Sequence, residues 1–123
     1  MQEQISIYEA LGDEKIKSLV AHFYQKVAQV PELRRLYPEE LAPAEERLYW
    51  FLLHVFGGPS TYLEKRGHPM LRRRHFQWAI DRNLRDKWVE CMFYALDQIL
   101  MENTVRDIVR EYFINASNHL INR

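Results

Sequence analysis

Five histidines, His22, His54, His68, His75 and His119, are the first side chains in this sequence that could do chemistry. They are scattered, with no cysteine or carboxylate at zinc-ligand spacing, so a metal cage built from protein alone is not expected. HExxH, CxxC and GxSxG are absent, as is a Gly-rich phosphate loop after a strand, which removes the enzyme classes those motifs carry. His75 has the most distinctive setting: Arg72, Arg73 and Arg74 precede it, and Phe76 and Trp78 follow. A flat macrocycle that brings its own four nitrogens to iron needs one imidazole, apolar contact over its faces and positive charge where its carboxylates emerge. Haem is such a group, and this short segment offers all three. The same residues also fit a surface basic turn around a partly buried histidine.

The whole chain sets the frame for that site. Its 123 residues fit one domain, 1–123, and 47% hydrophobic with 28% charged residues is the composition of a globular protein. Aromatic residues are abundant at 13%, and they must bury against a core, a planar ligand or both. Seventeen basic residues balance seventeen acidic ones, so neither nucleic acid nor an anionic membrane is favoured as partner. Cys91 stands alone, which excludes an internal disulfide, and no run reaches the apolar length of a membrane span. No basic start followed by an apolar stretch opens the chain, and a cytoplasmic location is expected.

Periodicity predicts helices and no strands. A short helix from Ser6 to Leu11 should end at Gly12, and Asp13 could cap a second reaching about Gln29, with Ile16, Leu19, Val20, Phe23, Tyr24 and Val27 as its stripe. Pro31 opens a short helical turn through Tyr37, which Pro38 stops. Pro43 suits the start of the next helix, striped by Ala44, Leu48, Phe51, Leu52 and Val55 and closed by Gly57-Gly58-Pro59. From Ser60 to Ile80 the pattern is irregular, with a short helix expected only around Leu71 to His75. Such a long apolar connection should wrap something. Asp81 can cap a helix whose face is Leu84, Trp88, Cys91, Met92, Ala95, Leu96, Ile99 and Leu100. Asn103-Thr104 is read as a break, and the last helix carries Val105, Ile108, Val109, Tyr112, Phe113, Ala116 and Leu120.

Six runs placed along this frame resemble the group II truncated haemoglobins: HFYQKV (22–27), ELRRLYPE (32–39), AEERL (44–48), GGPSTY (57–62), RGHPMLRRRH (66–75) and RDKWVECM (85–92). The likeness extends from about Ile7 to Asn122. It implies an all-α, truncated globin fold, a two-over-two helical sandwich around haem b (iron protoporphyrin IX). By the resemblance, His75 is the proximal iron ligand. Tyr24, Tyr37 and Trp88 are the ligand-facing donors, although Tyr24 and Trp88 would serve equally well as core residues on apolar stripes. Ala44 stands where an ordinary globin has its gating histidine, and Leu48 and Phe51 line the distal cavity. Arg47, Arg74 and Tyr62 are placed at the propionates, or in ordinary surface pairs, and Met70, Phe76 and Trp78 complete the haem contacts. One departure stands out: Leu11-Gly12-Asp13 has a single glycine where the family has a pair between its first two helices.

The implied function is binding of O2 and other small haem ligands, namely NO, CO, peroxide and sulfide. Two donors facing a ligand with partial negative charge should slow its escape, which favours redox or detoxifying chemistry on NO or peroxide over oxygen transport. Such turnover, as a dioxygenase or peroxidase, needs an external reductase, for nothing in the chain binds nicotinamide or flavin. A monomer or homodimer is expected. Two alternatives stay open on the residues: a haem-free helical protein-interaction module, and a nucleic-acid binder using Arg72 to Arg74, which the neutral charge balance disfavours.

Overall fold

The computed structural model describes residues 6–59, 61–68, 70, 74–75 and 77–123. Helix α1 runs from Ile7 to Val27, and its first turn is capped by Ser6, whose Oγ accepts from the Glu9 amide at 3.1 Å. Gly12 breaks its regularity with φ +82°, a backbone angle that side-chain-bearing residues rarely adopt. The two helices expected on either side of Gly12 are therefore two arms of one kinked rod. The longer arm buries Ile16, Leu19, Val20, Phe23, Tyr24 and Val27, the stripe the three-and-four spacing dictates.

Helix α2 is one turn, Pro31–Arg34, with proline in its first turn and Leu33 buried beneath it. Helix α3, Ala42–Val55, also has proline in its first turn. It buries Ala44, Leu52 and Leu53, whereas Leu48, Phe51 and Val55 of the expected stripe are only half-buried, and Leu48 and Phe51 border a cleft. Gly57 follows the helix with φ +91°, and the Tyr8 amide donates to the Phe56 carbonyl at 2.8 Å. A Cβ on Gly58 would lie 2.7 Å from the Tyr8 ring, so the short arm of α1 rests directly on this glycine.

The stretch read as irregular from Ser60 contains helix α4, Thr61–Arg66. This corrects the expectation, and its length explains the miss: six residues with Tyr62 alone buried set no period. The helix expected around Leu71 to His75 falls largely on residues 71–73, outside the described residues, although the Arg74 amide does donate to the Met70 carbonyl at 3.0 Å.

Helix α5, Arg82–Asp97, starts at Asp81, whose carboxylate accepts from the Leu84 amide at 2.8 Å. Leu100, placed on its apolar face by spacing, is 83% exposed, because the helix ends three residues earlier. Arg106 closes that end by donating to the carbonyls of Leu96 and Ile99. Helix α6, Asn103–Asn118, includes the Asn103-Thr104 pair expected as a break, and it buries Val109, Phe113 and Ser117. Ile108, assigned to its inner face, is half exposed. The α1 rod packs across α3 and α5, and α5 lies against α6. Beyond α6, Asn122 turns back on the segment entering α5: its Oδ1 accepts from the Ile80 amide at 2.9 Å and its Nδ2 donates to the Trp78 carbonyl at 3.0 Å.

Candidate functional site

A cleft of about 880 Å³ opens among these helices, at the large end of the 300–1,000 Å³ range usual for ligand pockets. Tyr24 of α1, Tyr37 after α2 and Trp88 of α5 contribute to its lining, as do Ala44, Leu48 and Phe51 of α3. His75 and Trp78 line it from the segment between α4 and α5, their rings 5.5 Å apart and tilted by 58°. Arg47, Tyr62, Met70 and Arg74 also border it. The folding chain thus brings together every site residue picked out in the sequence except Phe76, which lies outside the described residues.

Some lining residues were missed. Tyr112, Ala116 and Leu120 reach the cleft from α6 and its end at spacings of four, a pattern read as plain core; Phe113 and Ser117 join them. Arg66 was quoted within the RGHPMLRRRH run yet given no role. Its guanidinium and that of Arg74 each lie 6.0 Å from the Tyr62 ring, within cation–π range. Arg74 also donates to the carbonyls of Arg66 at 2.8 Å and His68 at 3.4 Å, tying the turn after α4 to the residue beside His75.

Aromatic rings organise the interior. Phe23 stands edge-on between Tyr24 and Trp88, with centroids 5.0 and 5.3 Å away, and Trp88 in turn meets Phe113 at 5.7 Å. Tyr24 meets Tyr37 the same way, and Phe51 meets Tyr62 at 5.6 Å. The Tyr24 hydroxyl donates to the Ala44 carbonyl at 3.5 Å, and the Tyr37 phenol is its neighbour in the cleft.

Burial, reinforced by Tyr37, pushes the ionisation of Tyr24 far above the phenol range. Tyr37 is also raised by burial, while its contact with Tyr24 and the charge of Arg47 pull it back down. Burial raises Tyr112 to about 12. All three remain neutral O–H donors at neutral pH.

The cleft fits haem in chemistry as well as size. Its lining is mainly apolar and aromatic, one imidazole enters it, and Arg47, Arg66 and Arg74 supply cations. Among the described residues no group of three His, Cys, Asp or Glu side chains could hold a metal ion, so iron here would need a macrocycle for its remaining ligands.

Comparison with known proteins agrees. The model of the bacterial-like globin family matches residues 6–122. Group 2 truncated hemoglobin YjbI of Bacillus subtilis is 35% identical over 94% of this chain and 88% of its own length. The crystal structure of a hemoglobin from Chloroflexus aurantiacus superposes with a TM-score of 0.94, at 39% identity, covering 98% of this chain and all of that one. A structure described as truncated oxygen-avid haemoglobin from Bacillus subtilis gives 0.92 at 35% identity, over 96% of this chain and 100% of its own. Fold and cleft together define a globin with the two-on-two helical arrangement. More narrowly, the chain belongs to the bacterial-like globins and, within them, to the group II truncated haemoglobins. It accordingly binds small diatomic ligands such as O2 through haem, and the haem-free interaction module is set aside. No helix of the described residues is long and apolar enough to cross a membrane.

Proposed function

We propose that this chain is an oxygen-retaining haem protein in which His75 holds the iron of haem b and Tyr24, Tyr37 and Trp88 serve the ligand on the opposite side. One observation carries the reading: a single imidazole shares an apolar cleft with a phenol pair and an indole. Haem, when bound, supplies an iron whose sixth position takes a neutral diatomic and which can exchange electrons. The chain supplies the rest. Leu48 and Phe51 keep water from the ligand side, and the small Ala44 side chain leaves an entrance there. Tyr24 commits its O–H to the Ala44 carbonyl, which leaves the Tyr37 O–H for the ligand, with the Trp88 Nε1–H as second donor. Arg47, Arg66, Arg74 and Tyr62 would receive the propionates, and Met70 and Trp78 would contact the macrocycle.

A hydrogen bond to a charged acceptor contributes about 1.5–3 kcal/mol, and each 1.4 kcal/mol is about tenfold in an equilibrium constant. Two such donors slow ligand escape by roughly two orders of magnitude if their effects add. The oxygen-avid description of the Bacillus subtilis relative supports this direction. Slow release suits scavenging, sensing or redox chemistry on NO or peroxide better than oxygen transport, with CO and sulfide as further ligands. Turnover draws electrons from a separate reductase. The chain works as a single domain, monomeric or homodimeric, in the cytoplasm, where a free buried thiol such as Cys91 stays reduced.

Absorption spectra of the ferric, ferrous and CO-bound protein test the reading. A Soret band is expected, with His75→Gly losing the native coordination and added imidazole restoring it. Protein that stays colourless with hemin, or a His75→Gly variant with unchanged coordination, overturns it.

A further inference from the structure

Tyr37 sits outside any helix, in the turn between α2 and α3, where main-chain geometry alone does not fix a side chain. Arg34, the last residue of α2, grips that turn. Its carbonyl accepts from the Tyr37 amide at 3.1 Å. Its guanidinium donates from one nitrogen to the carbonyls of Tyr37, at 3.3 Å, and Pro38, at 2.8 Å, and from the other to that of Glu39, at 2.6 Å. Both sides of Tyr37 are therefore tied to one residue, and three successive carbonyls are satisfied by one planar fork. Arginine suits that task where lysine does not: its donors are fixed in a plane and can serve several acceptors at once. Pro38 narrows the backbone freedom of Tyr37 further. Arg35, one residue on, is exposed and makes none of these bonds.

We propose that Arg34 is the positioning residue for Tyr37: its guanidinium holds the turn so that the Tyr37 ring stays edge-on to Tyr24 and its hydroxyl stays in the cleft. The consequence for ligand release rests on the proposed role of Tyr37 as donor, whereas the placement of the ring does not.

The test uses the ferrous, CO-bound holoprotein with ring-labelled tyrosine, the Tyr37 resonances being assigned through Tyr37→Phe. In Arg34→Ala they should move toward those of a solvated tyrosine, with Arg34→Lys intermediate and Arg35→Ala unchanged. Oxygen dissociation should accelerate about tenfold in Arg34→Ala, as in Tyr37→Phe, and the double variant should be no faster than Tyr37→Phe alone. Unmoved Tyr37 resonances in a folded Arg34→Ala protein, or fully additive rates in the double variant, overturn the proposal. If Tyr37→Phe leaves oxygen dissociation unchanged, the donor role fails, and the ring resonances still decide the positioning. Should Arg34→Ala not fold, Arg34→Lys reads the same signals.

Discussion

The ring of Tyr24 meets that of Tyr37 edge-on, with centroids 5.4 Å apart and planes at 88°. This contact joins the last turn of the longest helix to an irregular turn. It brings two hydroxyls together in one corner of the cleft, where only one of them needs to face the ligand.

An ordered pair of phenols predicts unequal and non-additive substitutions. Tyr37→Phe removes the donor itself and should speed oxygen dissociation about tenfold. Tyr24→Phe removes a hydroxyl whose proton is already committed to the Ala44 carbonyl and should have a smaller effect. Stopped-flow dissociation rates for both singles and the double check this: the double should match Tyr37→Phe, and independent multiplication of the two effects would contradict Tyr37 as the one ligand-facing phenol.

Trp88 separates packing from function more sharply. Trp88→Phe keeps an aromatic ring against Phe23 and Phe113 but deletes the indole N–H. Oxygen dissociation should rise by about tenfold or more, while thermal stability falls through the lost ring volume. A variant that is destabilised yet releases oxygen at the parent rate would leave Trp88 a purely structural residue.

High pH should unfold this protein through its phenols. Tyr24, Tyr37 and Tyr112 ionise less readily folded than free, all mainly through burial. A group with a raised folded-state pKa binds its proton more tightly in the native state. Its contribution is full below the unfolded phenol value of about 10 and is lost as pH climbs toward the folded value, about 12 for Tyr112. Urea midpoints measured from pH 8 to 11 should therefore hold steady and then decline above about 10. Tyr112→Phe should soften the decline.

Asn122 anchors the segment that leaves the histidine side of the cleft. Asn122→Ala leaves the Ile80 amide and the Trp78 carbonyl without their side-chain partner. A loss of about 1–3 kcal/mol is expected in chemical denaturation. Because Trp78 packs beside His75, hemin should also dissociate faster from the variant, as transfer to an acceptor globin would show.

How much of this was legible in the sequence depended on repetition. The stripes of α1 and α5 span several turns, and their caps, Ser6 and Asp81, are the residue types that supply a side-chain acceptor to a free amide. Helix α4 was invisible because Thr61 to Arg66 complete fewer than two turns. Leu100 and Ile108 were misplaced for the opposite reason: spacing continued on paper past the point where α5 ends, and assigned to the α6 core a residue that sits at its border. Within the site, His75, Tyr24, Tyr37 and Trp88 were legible through their motifs, and all four line the cleft. Tyr112 was not, since a tyrosine on an apolar stripe looks the same whether it faces a core or a cavity. Arg34 could not be found at all, because its partners are main-chain carbonyls, and these leave no trace in residue identity.

The seam between Tyr8 and Gly58 bears on the order of events in time. It joins positions far apart along the chain, so closing it costs entropy that no neighbouring contact recovers early. The arm ahead of Gly12 can settle only after the end of α3 has taken shape and presented its bare backbone. Amide exchange at Tyr8 should therefore run ahead of that in the long arm, marking the place where the native structure starts to come undone.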